Sequence, residues 1–254
     1  MIAIDNIYNE DCLVCMKEIA DDSINMILCD LPYGITNKRK NQYWDSIIPF
    51  EPLWEQYERI IKKDGAIVLF ASGIFTAQLI MSNTRLYRYS LVWKKGNRSV
   101  GFLDANKRPL RCHEDIVVFG KTIPKYNPQK TFGEPYVRKR GDNGLTQAYG
   151  NFTPTVTRNK KGLRYPKSII DIGIPNTERK RFHPTQKPVA LCEYLIKTYS
   201  DKNDVVLDNC IGSGTTAIAC IKNERHFIGF EKDKDFYEIA TQRLLNEKKQ
   251  LSLF

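Results

Sequence analysis

"VVLDNCIGSGTTAIAC", residues 205–220, decides how the rest of the chain is read. Its apolar start, ending on Asp208, reads as a buried strand. Gly212-Ser213-Gly214 reads as a tight turn, and Thr215 onward as a helix. Strand, glycine turn, helix is the layout that holds a nucleotide-like ligand at the C-terminal edge of a sheet. Gly212 and Gly214 let the main chain approach such a ligand closely. Glu231 ends the next strand-like run, "HFIGFE" at 226–231, where an acid can bind ribose hydroxyls. Residues 212–217 also fit the dinucleotide fingerprint G-x-G-x-x-G/A. Only 40 residues follow Gly214, too few for the rest of a dinucleotide-binding half and a substrate domain.

Working outward, the same alternation recurs. "DCLVCMKEIA" (11–20), "PLWEQYERIIKK" (52–63) and "FTAQLIMSN" (75–83) carry helical spacing. "NMILCD" (25–30), "GAIVLFA" (65–71), "YRYSLVWKK" (87–95) and "EDIVVFG" (114–120) are strand-length apolar runs. After the middle of the chain, "VALCEYLIKTYS" (189–200) and "KDFYEIATQRLLNEKK" (234–249) are helical again. The rhythm predicts an α/β fold around a twisted, mainly parallel sheet. It stops between residues 121 and 182, where prolines, glycines, aromatics and basic residues mix. The expected division is residues 1–120 and 183–254 for one domain, with 121–182 as an ordered but irregular insertion.

Charge singles out the same block. Of 39 Lys and Arg and 29 Asp and Glu, 14 and 4 fall within 121–182, leaving 25 of each elsewhere. The whole net charge of +10 is therefore local, and a local basic excess points to a polyanion, first of all nucleic acid. Lys38, Arg39 and Lys40, and within the insertion Arg138, Lys139, Arg140, Arg158, Lys160 and Lys161, are the candidate contacts. No apolar run is long enough to cross a membrane and no signal-peptide pattern opens the chain, so a cytoplasmic, DNA-associated protein is expected. Of the odd set of seven cysteines most lie inside apolar runs, which reads as reduced core thiols. Cys12-x-x-Cys15 lacks the second pair a zinc site needs, and no metal is expected.

The other informative stretch is "INMILCDLPYGI", residues 24–35. A turn needs Pro and Gly, but not the flanking Asp30 and Tyr33. "DLPYG" resembles the D-P-P-Y motif of amino-group DNA methyltransferases. "LDNCIGSGTT" resembles their D-P-F-x-G-S-G-T-T motif, and "HPTQKPVAL" (183–191) the segment that precedes it. Catalytic motif, basic insertion, then cofactor motif is the order of the family's β group.

The resemblance implies a Rossmann-like methyltransferase fold with an inserted target-recognition segment. It implies S-adenosylmethionine as methyl donor and double-stranded DNA as substrate, with the N6 amino group of adenine as target. N4 of cytosine is the alternative, and the family's cytosine enzymes more often have Ser where this chain has Asp30. It also implies site roles. Asp30 and the Leu31 carbonyl accept the two amino N–H groups, Pro32 holds the turn, and Tyr33 stacks on a base flipped out of the duplex. Asp11, Cys12, Lys187, Asp208, Gly212, Ser213, Gly214, Thr215, Thr216 and Glu231 surround the cofactor. A homodimer and a cognate restriction endonuclease stand open as partners. Three positions depart from the pattern: Leu31 in place of Pro, and Asn209 and Cys210 in place of Pro and Phe. They motivate a second alternative, a DNA-binding relative with weak or no catalysis. His113-Glu114 is expected merely to start a strand, and His183 to be structural.

Overall fold

A computed structural model describes residues 2–34, 45–140, 155–173 and 186–251. They form two compact units, residues 1–127 with 168–254, and residues 128–167. In chain order the larger unit holds β1 (Asn6–Tyr8), α1 (Cys12–Cys15), β2 (Ile24–Cys29), α2 (Phe50–Ile60), β3 (Ile61–Ala71) and α3 (Ile74–Ser82). β4 (Tyr87–Lys94) and β5 (His113–Phe119) follow. After the smaller unit come β10 (Ile169–Asp171), α4 (Val189–Tyr199), β11 (Val205–Asp208), α5 (Thr215–Lys222), β12 (His226–Phe230) and α6 (Lys234–Leu251).

The eight strands form one sheet in the order β1-β12-β11-β2-β3-β5-β4-β10. Only β5 runs against its neighbours β3 and β4, and the other pairings are parallel. Successive side chains of a strand face opposite sides of a sheet, so a sheet covered on both faces needs unbroken apolar strands. Met26 and Leu28 of β2 pack with Leu191, Leu195 and Ala217 on one face. Ile27 and Cys29 pack with Leu53, Tyr57, Phe75 and Leu79 on the other. The result is a helix–sheet–helix sandwich.

Three boundaries differ from the sequence reading. The helix expected over 11–20 is a single turn, α1, followed by a 3₁₀ turn at Met16–Glu18. α2 ends at Ile60, because Ile61 is drawn into β3, where it pairs with Ile24. The insertion expected over 121–182 is narrower as a compact unit. Residues 121–127 belong to the larger unit, and Ile169–Asp171 extend its sheet by pairing with Val92–Lys94.

The smaller unit, Pro128–Lys167, is built from two short antiparallel ladders. β6 (Thr131–Phe132) pairs with β9 (Leu163–Arg164), and β7 (Tyr136–Arg140) with β8 (Thr155–Asn159). The Arg164 guanidinium lies 4.6 Å over the Tyr136 ring, and the Lys130 ammonium 4.4 Å over Tyr165. Cation–ring contacts thus tie this unit together where apolar residues are few.

Candidate active site

Parallel strands bring the ends of β2, β3, β4 and β11 to one edge of the sheet, where sites of α/β folds lie. β5 runs the other way, so its first residues reach that edge too. A cleft of about 1080 Å³ opens there. Its walls include Asp30–Tyr33 after β2, Lys95 after β4, Glu114 at the start of β5, Lys187, and residues 208–213 with Glu231. Two sequence motifs 180 residues apart therefore share one cavity.

Asp30 is held from two sides. Tyr33 donates its hydroxyl to Asp30 Oδ1 at 2.8 Å, and Lys187 Nζ lies 2.5 Å from Oδ2. Lys187 also lies 3.2 Å from Glu114, which pairs in turn with Lys95. The four side chains form a row of alternating charge, two positive and two negative, under the cleft. Burial pushes the Asp30 carboxyl above its ordinary value, and the Lys187 charge opposes that. For Lys187 burial works against the ammonium, but Asp30 and Glu114 outweigh it and hold it above the usual lysine value. Burial also works against the Glu114 carboxylate. Lys187 and Lys95 outweigh it, so Glu114 sits below the ordinary range.

The Tyr33 ring stacks on Phe75 at 4.9 Å between centroids, which fixes its plane. Leu31 is buried in the core against this turn. Pro32 shortens the turn's freedom by fixing φ. Lys187, expected near a cofactor, stands beside Asp30. Glu114, expected only to begin a strand, belongs to the charged row. Its role was hidden because the direction of β5 is not written in its own residues.

Opposite Asp30, the glycine turn is braced from below. Asp208 Oδ1 accepts the Cys210 N–H at 3.1 Å, and burial pushes this carboxyl up to about 7. The neighbouring Thr216 opposes that rise. Glu231 accepts the N–H of Gly212 at 2.8 Å through Oε2 and that of Asp233 at 2.9 Å through Oε1. Each carboxylate oxygen retains a lone pair for a further donor. Asp11 caps α1 through the Leu13 N–H and pairs with Lys232 at 3.0 Å.

Ser213 bonds Gln186 at 3.2 Å and receives Arg243 of α6. The Thr215 hydroxyl, at the N-terminus of α5, is buried with no hydrogen-bond partner among the described residues. An orphan hydroxyl beside a helix N-terminus suits a carboxylate-bearing ligand.

Gly214 calls for a correction. A side chain there meets Ala240 of α6 at 3.2 Å, not the cleft, and its φ of +83° is left-handed. Its glycine serves the packing of α5 against α6.

The unusual pair after Asp208 is accommodated. Asn209 is buried, accepts the Tyr57 hydroxyl at 2.5 Å, and donates to the sulfurs of Cys12 and Cys210 at 3.6 Å. The Cys12 and Cys29 thiols are raised. In Cys12 this follows from a hydrogen bond with Cys210 and burial, and burial takes Cys29 to about 12. They stay protonated and weakly nucleophilic. All seven cysteines are free; five are buried, Cys210 is half-buried, and Cys112 is exposed, so it is not a core thiol.

Of the candidate nucleic-acid contacts, Lys38, Arg39 and Lys40 lie outside the described residues, as does His183. Arg138 faces one side of the β7–β8 ribbon, by strand alternation. Lys139 and the residue opposite Val137, Arg158, share the other. Arg138 and Lys139 therefore do not form one cluster. Lys160 and Lys161 form the turn after β8 and are exposed. Among the described residues no group of His, Cys, Asp and Glu is placed to hold a metal, and no helix is long and apolar enough to cross a membrane.

Comparisons with known proteins show what the chain is similar to. The chain is 26% identical to the type II methyltransferase M.HindIII of Haemophilus influenzae, over 96% of each chain. It is 28% identical to the type II methyltransferase M2.MboI of Moraxella bovis, over 96% of this chain and 92% of the relative. Among solved structures, the M1.HpyAVI–SAM complex aligns with a TM-score of 0.65 at 24% identity, over 94% of this chain and 98% of that one. The cytosine-N4-specific PvuII DNA methyltransferase aligns at 0.68 and 14% identity, over 96% and 91%. The family model N6_N4_Mtase, described as DNA methylase, matches residues 24–242, from the strand before Asp30 into the last helix, and the chain belongs to that family of DNA methyltransferases.

Proposed function

We propose that this DNA methyltransferase moves a methyl group from S-adenosylmethionine to the N6 amino group of adenine in duplex DNA, after the base has been turned out of the helix. The observation that carries this reading is Asp30, fixed by Tyr33 and Lys187 in the same cleft as the glycine turn and Glu231. Asp30 rather than Ser at this position supports adenine over cytosine. The M1.HpyAVI complex with SAM, similar in fold, supports the cofactor.

The chemistry needs acceptors more than a strong base. An exocyclic amino group is a poor nucleophile because its lone pair is delocalised into the ring. Asp30 and the Leu31 carbonyl, accepting its two N–H groups, favour a pyramidal nitrogen and free that lone pair. Both Asp30 oxygens are already engaged, yet each keeps an acceptor site. Lys187 holds the carboxylate in place without consuming it. S-adenosylmethionine, when bound, supplies an electrophilic methyl on sulfonium. Glu231 would hold its ribose, Asp11 and Cys12 would sit by the adenine, and Thr215 with the α5 N-terminus would receive the amino-acid end. Held in line, the amino nitrogen would form its new bond to the methyl carbon as the carbon–sulfur bond breaks; the sulfur would leave as a neutral thioether and the surplus proton of the nitrogen would pass to solvent. The smaller unit's ribbon and turn, rich in Arg and Lys, contact DNA. A two-stranded ribbon is of a size the major groove admits.

The test is to incubate the protein with mixed-sequence duplex DNA and methyl-labelled cofactor, digest the product and separate the nucleosides by mass spectrometry. Label in N6-methyldeoxyadenosine is expected. Label in N4-methyldeoxycytidine would move the assignment to cytosine, and none would point to a binding-only protein. Mapping modified positions in the DNA of an expressing host gives the recognition sequence and directs the search for a cognate endonuclease.

A further inference from the structure

Antiparallel neighbours such as β4 and β5 are usually joined by two to five residues. Here residues 95–112 intervene, and loops of that length are usually functional. The base of the loop is tied down. Lys95 donates its N–H to Cys112 at 2.9 Å, Val100 and Arg111 bridge across it, and Arg111 bonds Ser72 at 3.0 Å. Beyond that clasp, Gly101 takes a left-handed φ of +92° and starts a 3₁₀ turn, Phe102–Asp104. The turn presents Phe102 and Leu103 to solvent, 77% and 76% exposed. Two adjacent large apolar side chains on an ordered, braced tip are unfavourable in water and mark a contact surface.

The surroundings say what the contact is. β4 ends and β5 begins at the cleft edge, so this loop rises beside Asp30, and Arg98, Ser99, Val100 and Arg111 form part of the cleft wall. Lys107 and Arg108 add positive charge to the tip, against one acid, Asp104, which pairs with Arg108. Apolar tip, basic flanks and a position next to the base pocket match a DNA duplex with one base removed. Such a gap needs apolar filling, and the phosphates on either side need cations.

We propose that the 96–112 loop is a wedge, with Phe102 and Leu103 occupying the space the flipped base leaves while Arg98, Lys107 and Arg111 hold the adjacent phosphates. This rests on the adenine-flipping reading above and assigns the stabilisation of the open duplex to a loop outside the basic smaller unit. The wedge makes extrusion of a paired base less costly, and adds little where the target is already unpaired.

The test uses the double variant F102A/L103A and duplexes that carry the parent's own methylated sequence. In one the target is correctly paired, in a second it is mispaired, and in a third 2-aminopurine replaces it. The variant should bind the paired duplex at least tenfold more weakly than the parent, and the mispaired duplex within threefold. It should also lose most of the 2-aminopurine fluorescence rise that reports unstacking. Cofactor affinity, measured by calorimetry, should be unchanged, as both side chains are at the surface. Equal losses on paired and mispaired DNA, or a retained fluorescence rise, would overturn the wedge. So would a dimer that dissociates in the variant with flipping intact, since that would make the tip a contact between copies. Should the parent itself methylate no DNA, the reading beneath the proposal fails and the wedge falls with it.

Discussion

If Asp30 works as an acceptor, its protonation state should set a limb of the pH profile. Its carboxyl lies above the ordinary value, and transfer should therefore fall on acidification earlier than for an exposed aspartate. The row behind it allows a sharper expectation. Glu114→Gln removes a negative charge and leaves Lys187 wholly to Asp30, so the acidic limb of kcat should move to lower pH. Lys95→Met removes a positive charge and lets Glu114 compete for Lys187, so the limb should move to higher pH. Single-turnover rates from about pH 5 to 9 check both. Loss of rate in both variants with no displacement of the limb would show that the row only holds structure. At this scale the sequence brought out Asp30 and Tyr33 as candidates, because neither residue is required by a turn, and the two are hydrogen-bonded in the cleft. It did not disclose Glu114 or Lys95, whose meaning depends on which strands they meet. Nor did it show how Asn209 replaces Pro, since Tyr57, its buried partner, lies 152 positions away.

Among elements, the strand–turn–helix of β11 and α5 was the most legible, because glycine spacing and an apolar run constrain each other locally. Its internal division of labour was not. Gly214 answers to α6, and only the packed structure shows that Ala240 lies against it. Gly214→Ala should cost roughly 1–3 kcal/mol, from the left-handed backbone and the close contact with Ala240. Urea unfolding measures this. A second change, Ala240→Gly, should return the contact part but not the backbone part. A Gly214→Ala protein as stable as the parent would contradict the packing role. The ladders of the smaller unit were read as irregular, because their strands are short, exposed and broken by Pro and Gly. Such strands carry no apolar alternation to detect.

Over the whole molecule, periodicity foretold the mainly parallel sheet, and composition marked out the basic middle segment. The charge imbalance located a basic middle segment, while its edges shifted once Ile169–Asp171 joined the main sheet. If the ribbon and its turn bear the phosphate contacts, log–log salt plots of DNA affinity should flatten by about 0.9 for each contact removed. Because alternation parts the basic side chains, Arg138→Gln and Lys139→Gln should differ. The one on the DNA side should reduce the slope and the other leave it unchanged. Equal slopes in parent and both variants, with a change on neutralising Lys248 and Lys249 of α6, would move the DNA surface away from the smaller unit.

The most direct measurement of the central claim compares the parent with Asp30→Asn. Cofactor binding is followed by calorimetry, and single-turnover transfer of labelled methyl into duplex DNA by filter counting. Asparagine keeps the size but puts a donor where an acceptor is needed, and it weakens the hold on Lys187. The account predicts cofactor affinity within a few-fold of the parent and transfer slowed by at least about a hundredfold, the scale of a lost positioned catalytic group. Transfer near the parent rate, or a fall in transfer explained entirely by lost cofactor binding, would contradict it.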